Sequence, residues 1–198
     1  WHYDNEIRTR SGERRLVQLN DMVRGAVDLM AYSLRTTGVV VNLKLAQALP
    51  EVHADGDQLG QIILNLLVNA QQAPGVTQIQ VTTGIDPSCQ AGGEPLAWLR
   101  VCDNGPGVPA DMAQRIFDPF FTTKPMGTGT GLGLSVSRAI ARDHGGDLLL
   151  DHQREGEGAC FVLRLPLSGA ALKVSQAQAI TESDEASSAF LARILVVD

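Results

Sequence analysis

Asparagine, aspartate and glycine residues cluster in three segments of this sequence, at spacings suited to binding a nucleotide, a metal ion and a chain of phosphates. In chain order the segments are 65–70 (Asn-Leu-Leu-Val-Asn-Ala), 103–107 (Asp-Asn-Gly-Pro-Gly) and 127–133 (Gly-Thr-Gly-Thr-Gly-Leu-Gly). Each segment alone is weak evidence. Taken together, with the aromatic segment 117–124 between the last two, they predict one pocket.

The first segment places two asparagines one helical turn apart. Asn65 and Asn69 share a stripe at the border of the apolar face of a predicted helix, so both amides can reach a pocket while the helix stays anchored. An amide oxygen is a hard, neutral ligand that Mg²⁺ accepts beside waters and substrate phosphates. The pair therefore predicts a magnesium site, although taken alone it is better explained as capping buried backbone groups.

The second segment sets a carboxylate at the end of an apolar strand. Asp103 can accept a hydrogen bond there from the exocyclic amine of a base, while Gly105 and Gly107 let the backbone come close and turn sharply. The alternative is an ordinary exit from a strand into a turn, for which Asp-Asn-Gly is well suited.

The third segment alternates glycines directly before a predicted helix. Such glycines leave backbone N–H groups free to face an anion, the helix N-terminus adds a favourable dipole, and Thr128 and Thr130 can add hydroxyl donors. A plain flexible loop explains the pattern poorly, because each glycine costs roughly 1 kcal/mol inside ordered structure. The segment is no P-loop, since Gly-Lys-[Ser/Thr] is absent. It also does not follow a strand, as a Rossmann fingerprint should.

Segment 117–124 concentrates three of the five phenylalanines in a stretch otherwise built like a loop. Aromatic residues in a loop usually clamp it to a neighbour, and Lys124 offers a cation close to the glycines for a phosphate. A small apolar cluster beneath a long loop is the alternative. The two interpretations are compatible, because a lid needs both an anchor and a hinge.

Periodicity supplies the elements that must hold these segments. Asp55 is a predicted helix N-cap, with Gln58 at the reciprocal position of a capping box. Apolar periods of three to four residues predict helices, and alternation predicts strands. The predicted helices lie at 20–35, after Asp55 through 70, at 109–116 and at 131–144, and the strands at 39–45, 78–83, 96–102, 147–151 and 160–166.

Composition bounds the class of protein. The chain has 198 residues, 44% of them hydrophobic, and a net charge of −6 without a cluster of Lys and Arg, which argues against nucleic acid as a partner. No apolar run approaches the roughly 20 residues that cross a bilayer. Cys89, Cys102 and Cys160 are too few and too scattered to predict a disulfide framework or zinc site, and the last two are expected to be small core residues. A reducing, cytoplasmic setting is expected, with a membrane anchor in the parent protein left open.

In order, spacing and surroundings, the segments resemble the catalytic ATP-binding domain of sensor histidine kinases, in the wider family of gyrase, heat-shock chaperone and mismatch-repair ATPases. The resemblance covers about 16–167. Residues 65–73 are similar to the family's N box, 103–107 to its first glycine box, 117–124 to its F box and 127–133 to its second glycine box.

The resemblance implies an α+β fold, a two-layer α/β sandwich with helices packed on one face of a mixed β-sheet (the Bergerat ATP-binding fold), and ATP beneath a lid at roughly 105–130. By position, Asp103 would bind the adenine amine, Asn69 would coordinate Mg²⁺ and Asn65 would lie near the phosphates. The other candidate ATP-binding residues are Gly105, Gly107, Val108, Phe117, Phe120, Lys124, Gly127, Gly129, Thr130, Gly131, Leu132 and Gly133.

One position separates hydrolytic relatives from kinases. The hydrolytic relatives carry a glutamate, as water-activating base, four residues before the metal-binding asparagine, and here that residue is Asn65. Asn65 is therefore the catalytic candidate in a site that positions phosphates and activates water poorly. Phosphoryl transfer needs mainly positioning and charge neutralisation. The resemblance thus implies a protein histidine kinase that uses ATP and Mg²⁺, and makes a true ATPase the weaker hypothesis.

The resemblance also implies partners. Histidine kinases carry the acceptor histidine on a dimerisation helix, followed by an acid and Arg-x-Pro. His2 lacks that context, so the acceptor is expected on a dimerisation domain outside this chain, in cis or in trans in a homodimer. His53, His144 and His152 are expected to be structural or solvent-facing. A response-regulator receiver domain is the second expected partner. The alternative function is a nucleotide-gated interaction module without kinase activity.

Four parts are predicted along the chain. Residues 1–15 are a linker or the end of the dimerisation helix, and 16–167 form the catalytic domain. Residues 168–192, rich in Ala, Ser, Gln and Glu, are a linker. Residues 193–198 (Arg-Ile-Leu-Val-Val-Asp) resemble the first strand of a receiver domain, although an added strand or an apolar tail explains so short a segment equally well.

Overall fold

A computed structural model of the chain describes residues 13–86, 95–124, 129–151 and 158–167. These residues form a five-stranded mixed sheet, a two-stranded sheet and a layer of helices. The elements are β1 (Arg15–Val17), α1 (Leu19–Thr37), β2 (Val40–Lys44), β3 (Val52–Ala54), α2 (Gly56–Gln71), β4 (Gln78–Asp86), β5 (Leu96–Asp103), a 3₁₀ helix (Arg115–Phe117), α3 (Gly133–Asp143), β6 (Asp147–Leu150) and β7 (Cys160–Pro166).

The large sheet has the strand order β2-β4-β5-β7-β6. Strands β2 and β4 run parallel and the other neighbouring pairs are antiparallel, so the sheet is mixed as expected. Along β5, buried residues alternate strictly with half-exposed ones, because one face of the strand meets the helices. The two-layer α/β sandwich inferred from the sequence is thereby confirmed.

Helix α2 occupies the centre of the core. Its six predicted apolar residues are all buried, because they recur at helical spacing and face the sheet together. The Asp55 carboxylate caps the helix by accepting from the N–H groups of Asp57 (2.9 Å) and Gln58 (3.3 Å). The six residues are Leu59, Ile62, Ile63, Leu66, Leu67 and Ala70.

The second half of the predicted capping box is wrong. The backbone N–H of Asp55, which such a box would pair with the Gln58 side chain, donates to Nε2 of His144 at 3.1 Å. Because His144 Nδ1 lies 2.8 Å from the carbonyl of Ile140, Nδ1 is the protonated ring nitrogen. His144 is buried and structural, and thereby ties the start of α2 to the end of α3, while His53 is exposed.

Two short elements were not predicted. Strands β1 and β3 have three residues each and pair antiparallel, with Leu16 opposite His53. Three residues are too few to show alternation, and the predicted end of the linker, Arg15, is the first residue of β1. Arg14 also binds Asp143, at the end of α3, with Nη2 2.7 Å from the carboxylate.

The prediction of a helix at 109–116 is also wrong. The segment forms successive turns and then a 3₁₀ helix, with bonds such as Met112 N–H to Pro109 C=O that span three residues. It buries Ala113 alone among 109–116, so there is no apolar stripe to hold an α-helix against the core.

Cys102 and Cys160 face each other across β5 and β7 and form a disulfide. The expectation that both are small core residues is wrong, since each is half-exposed, and this disulfide was not predicted. Their separation of 58 residues hid a pairing that the strand register creates. The cysteines consequently no longer support a reducing compartment, and Cys89 lies outside the described residues.

Several predictions fall outside the described part of the chain. They concern His2, His152, the linker at 168–192 and the strand at 193–198. Within the described part, no helix is long and apolar enough to cross a membrane.

Candidate functional site

A cleft of about 470 Å³ lies between α2, the start of α3 and the residues 121–124 and 129–131. Two of the three predicted segments therefore meet in space, because α2 and α3 pack side by side. The cleft is lined by Asn65, Val68, Asn69, Gln72, Ile116, Phe121, Thr122, Thr123, Lys124, Gly129, Thr130, Gly131, Gly133 and Leu134.

Seven of the predicted site residues line this cleft, and seven described ones do not. The lining set contains Asn65, Asn69, Lys124, Gly129, Thr130, Gly131 and Gly133. The predicted residues outside the lining are Asp103, Gly105, Gly107, Val108, Phe117, Phe120 and Leu132. Gly127 lies outside the described residues.

A chain of polar contacts crosses the cleft wall. Asn65 Nδ2 donates to Ser137 Oγ at 3.0 Å, and Asn69 Nδ2 lies 3.5 Å from Asn65 Oδ1. Lys124 Nζ then donates to Asn69 Oδ1 at 3.2 Å and to Gln72 Oε1 at 2.5 Å. Asn69 therefore turns its oxygen, the ligand atom of the amide, toward a positive charge in the cleft.

Lys124 places its ammonium in this part of the cleft. Among the described residues its Nζ donates to two amide oxygens, those of Asn69 and Gln72, and to no carboxylate. Burial lowers the pKa of Lys124, because removing water from an ammonium favours its neutral form. Hard, neutral oxygens beside space for phosphates fit Mg²⁺, which keeps several of its own waters. No cluster of three or more His, Cys, Asp or Glu suited to a metal occurs in the described residues.

The glycines allow two close approaches at the cleft. Gly131 has φ of +66°, and a Cβ there would stand 2.5 Å from the carbonyl carbon of Phe120. The N–H of Phe120 donates to the Gly131 carbonyl at 2.9 Å, so the two ends of the loop meet at a neck. A Cβ on Gly133 would overlap the Asn65 amide. Helix α3 thus begins in close contact with Asn65. Its N-cap residue is Leu132, whose side chain cannot accept hydrogen bonds from the first N–H groups of the helix.

Asp103 ends β5 in a buried position, 7% exposed. Its Oδ1 accepts from the N–H of Gly105 (2.9 Å) and of Ala159 (3.2 Å). Burial raises the pKa of Asp103 more than these hydrogen bonds lower it. Gly105 packs against Ala73, which follows the cleft residue Gln72, so the Asp103 turn adjoins that end of the cleft.

The phenylalanines divide between anchor and surface. Phe117 meets Phe161 edge to face at 6.3 Å, and the Arg138 guanidinium lies 4.6 Å from its ring centroid. Phe120 is 75% exposed and has a φ of +66°, which is unusual for a side chain of this size. Contacts of Phe117 and Phe120 with a nucleotide stay predictions.

Arg138 fixes the base of the loop to the sheet. Its Nε and Nη2 bind the two carboxylate oxygens of Asp147 at 2.9 and 3.2 Å. Burial raises the pKa of Asp147, but hydrogen bonds from Arg138, Leu148 and Arg142 together hold it below its usual range. The fork geometry and the ring contact suit arginine and not lysine.

Sequence reasoning did not identify several of the residues that shape the cleft. Gln72 lies three residues after Asn69, so the helical stripe could have revealed it. Ser137 gave no signal, because a serine inside a helix is ordinarily exposed. Outside the cleft lining, Asn104, predicted only as a turn residue, accepts at Oδ1 from the N–H groups of Thr77 and Gln78, both at 2.9 Å.

Comparison with known proteins gives consistent matches. The family described as histidine kinase-, DNA gyrase B- and HSP90-like ATPases matches residues 54–169. The two-component sensor PprA of Pseudomonas aeruginosa is 42% identical over 153 residues, covering 74% of this chain and 16% of PprA. The sensor histidine kinase ZraS of Escherichia coli is 36% identical over 152 residues, covering 77% of this chain and 31% of ZraS.

Solved structures agree. The catalytic domain of histidine kinase ThkA matches with a TM-score of 0.65 and 30% identity, over 78% of this chain and 95% of that one. Full-length ShkA in complex with AMPPNP matches with a TM-score of 0.65 and 29% identity, over 77% of this chain and 31% of that one. The chain spans less than a third of the length of PprA and ZraS.

Proposed function

The chain belongs to the family of histidine kinase-, DNA gyrase B- and HSP90-like ATPases, as a catalytic domain of the sensor histidine kinase type, and on that premise we propose how its residues act. It binds Mg²⁺-ATP in the cleft between α2 and α3. It passes the γ-phosphoryl group to a histidine on a dimerisation domain. The observation that carries this proposal is the Asn69 oxygen, which faces Lys124 Nζ in the cleft that the glycine segment also lines.

Asn69 is the proposed metal ligand. Its Oδ1 already accepts a hydrogen bond from the Lys124 ammonium in the cleft. When bound, Mg²⁺ would neutralise charge on the phosphates. Lys124 is a second cation within reach of them. Its contacts with the described residues are with two amide oxygens, so a phosphate can replace these without breaking an ion pair.

The glycine segment is the proposed phosphate cradle. Gly129, Thr130 and Gly131 line the cleft directly before α3, whose first N–H groups carry no side-chain cap. Backbone N–H groups and the helix dipole favour an anion at such a point. Glycine at these positions keeps the backbone accessible, which a Cβ on Gly131 or Gly133 would prevent.

Transfer is favoured over hydrolysis. The described lining residues include no Asp, Glu or His, so the cleft offers no carboxylate or imidazole as a general base toward water. Asn65 holds the position of the base in hydrolytic relatives and donates instead to Ser137. The proposal therefore assigns Asn65 to holding the phosphate end of the cleft, and leaves the reacting imidazole to the partner.

The partners follow from this chemistry. The acceptor is a dimerisation domain bearing a histidine, in cis or in trans, and the phosphoryl group passes onward to a receiver domain. A cytoplasmic location belongs to the same proposal, because the site uses cellular ATP. With a net charge of −6, the chain is poorly suited to nucleic acid.

The test is phosphoryl transfer to a separately produced dimerisation domain of a relative such as PprA. With ATP labelled at the γ-phosphate and Mg²⁺, we expect label on the acceptor that is lost in acid and kept in base, as for phosphohistidine. The same acceptor with its histidine replaced is the control. Tight ATP binding with no transfer to any acceptor tested would instead support a nucleotide-gated interaction module.

Asn69→Ala tests the metal assignment. We expect transfer to fall at least a hundredfold, while the thermal unfolding midpoint stays within a few degrees, because the side chain lies at the cleft and not in the core. Gln72→Ala is the matched control, since it removes the other amide contact of Lys124. Full activity in Asn69→Ala would exclude Asn69 as the metal ligand.

A further inference from the structure

We propose that Ser137 is a positioning residue that sets the orientation of the Asn65 amide and, through it, directs the Asn69 oxygen at the metal. Ser137 does not line the cleft. The inference rests on the proposed function, because it concerns how the Asn69 ligand is held.

Ser137 is a buried hydroxyl at a place where packing alone would favour an apolar residue. It is 1% exposed and is one of two buried residues of α3, the other being Ala141. A buried hydroxyl is costly unless it is paired. Its Oγ accepts a hydrogen bond from Nδ2 of Asn65, at 3.0 Å on the neighbouring helix.

The hydrogen bond to Ser137 holds one end of the Asn65 amide, so the other end faces Asn69. Because Nδ2 of Asn65 points to Ser137, its Oδ1 faces the Nδ2 of Asn69, 3.5 Å away. Asn69 then has its NH₂ group toward Asn65 and its oxygen toward the Lys124 ammonium. The direction of each amide in the chain thus depends on the one before it.

Gly133 leaves the Asn65 amide little other freedom. The start of α3 packs so closely on Asn65 that a Cβ at Gly133 would overlap its Oδ1. Rotation of the amide by half a turn is the remaining movement. That rotation would set the NH₂ groups of Asn65 and Asn69 against each other, and would favour an Asn69 that offers N–H, which no metal ion accepts, to the cleft.

Ser137→Ala removes the acceptor without adding volume, and alanine suits a helix interior. The measurement is the affinity of a fluorescent ATP analogue for the full chain, titrated with Mg²⁺ and repeated in EDTA. We expect the Mg²⁺ concentration for half-maximal enhancement to rise about tenfold, at the low end for residues that orient metal ligands. Affinity in EDTA should not change.

Ser135→Ala is the matched control. Ser135 lies two residues away on the same helix, and its hydroxyl donates to the carbonyl of Leu132 at 2.9 Å. It should leave the Mg²⁺ dependence unchanged. Ser137→Thr retains a hydroxyl and should restore most of the wild-type dependence. In an Asn65→Ala background, Ser137→Ala should have no further effect, because the side chain through which it acts is gone.

The outcomes separate this inference from the proposed function. Wild-type binding that is enhanced by Mg²⁺ and lost with Asn69→Ala, but unaltered by Ser137→Ala, overturns the role of Ser137 alone. An equal loss of affinity with and without Mg²⁺ in Ser137→Ala also overturns it, since that result marks a structural residue. Wild-type binding indifferent to Mg²⁺ overturns both.

Discussion

Asp103 is held between two opposed effects. Its burial favours the neutral acid, whereas the N–H groups of Gly105 and Ala159 favour the carboxylate. The first effect is larger, so the folded pKa lies above 3.8. A carboxyl group retained where burial disfavours its charged form is typical of a functional position.

The pH dependence of stability follows from that sign. In the pH range between 3.8 and the raised folded pKa, the native state binds more protons than the unfolded state. Stability therefore falls as the pH rises through this range, and the whole cost is present above it. Asparagine keeps the Oδ1 that accepts both N–H groups and cannot ionise.

Asp103→Asn is expected to raise the unfolding midpoint at pH 7 and to flatten its dependence on pH above 4. It should also weaken ATP binding about 10- to 100-fold, because an NH₂ group replaces the acceptor for the adenine amine, and hydrogen bonds to charged groups contribute about 1.5–3 kcal/mol. Thermal melts across pH and competition between ATP and GTP measure both effects. The exposed Asp111→Asn is the control. An undiminished preference for ATP would remove Asp103 from the adenine site.

At the residue level, helical spacing was sufficient to predict the polar wall of the cleft. Asn65 and Asn69 face it because residues four apart share a helix face. Ser137 could not be inferred in this way, because its partner is 72 residues distant. Which end of an amide faces a ligand depends on such distant contacts.

Between the 3₁₀ helix and α3, the backbone is drawn together at a neck formed by Phe120 and Gly131. Phe120 and Gly131 share a backbone hydrogen bond there, and Gly131 has a left-handed φ. The alternating glycines predicted an accessible backbone before α3. The contact between Gly131 and Phe120 was not predictable, because the aromatic segment gave no indication of which phenylalanine would approach it.

Gly131→Ala is expected to open this neck. The added Cβ would stand 2.5 Å from the Phe120 carbonyl carbon, and a left-handed φ costs an L-residue about 1–2 kcal/mol. ATP affinity should fall about tenfold, as measured by titration with a fluorescent analogue. Gly25→Ala, where nothing lies within 4 Å, should keep full affinity and stabilise the protein by up to about 1 kcal/mol. Unchanged binding in Gly131→Ala would show that the neck does not hold the phosphate cradle.

Whole-molecule topology was less accessible from the sequence than its elements. The helices α1, α2 and α3 and the strands of the large sheet have enough residues to show their period, and they lie near their predicted places. The pairing of β1 with β3, and of Cys102 with Cys160, depends on strand order and register, which a single sequence does not encode locally. The resemblance supplied the sandwich architecture, but not these contacts.

Contacts with the rest of the described fold begin before residue 16, at Arg14 and Arg15. Val17 is buried, Arg14 binds Asp143, and β1 completes the small sheet. At the other end, Leu167 is fully buried and its N–H donates to Pro95. Residues 13–167 should therefore fold as a unit, whatever follows them.

A piece spanning 13–167 is expected to match the full chain in unfolding midpoint and in affinity for a fluorescent ATP analogue. For a piece starting at 19, the free energy of unfolding should be lower by about 1.5–3 kcal/mol because the burial of Val17 is lost. It should fall further because β3 no longer has β1 as its partner. Urea unfolding followed by circular dichroism measures the difference. Because β3 leads directly to Asp55 and the start of α2, the shorter piece should also bind ATP more weakly. Equal stability of the two pieces would mean that β1 contributes nothing to the stability of the domain that holds the site.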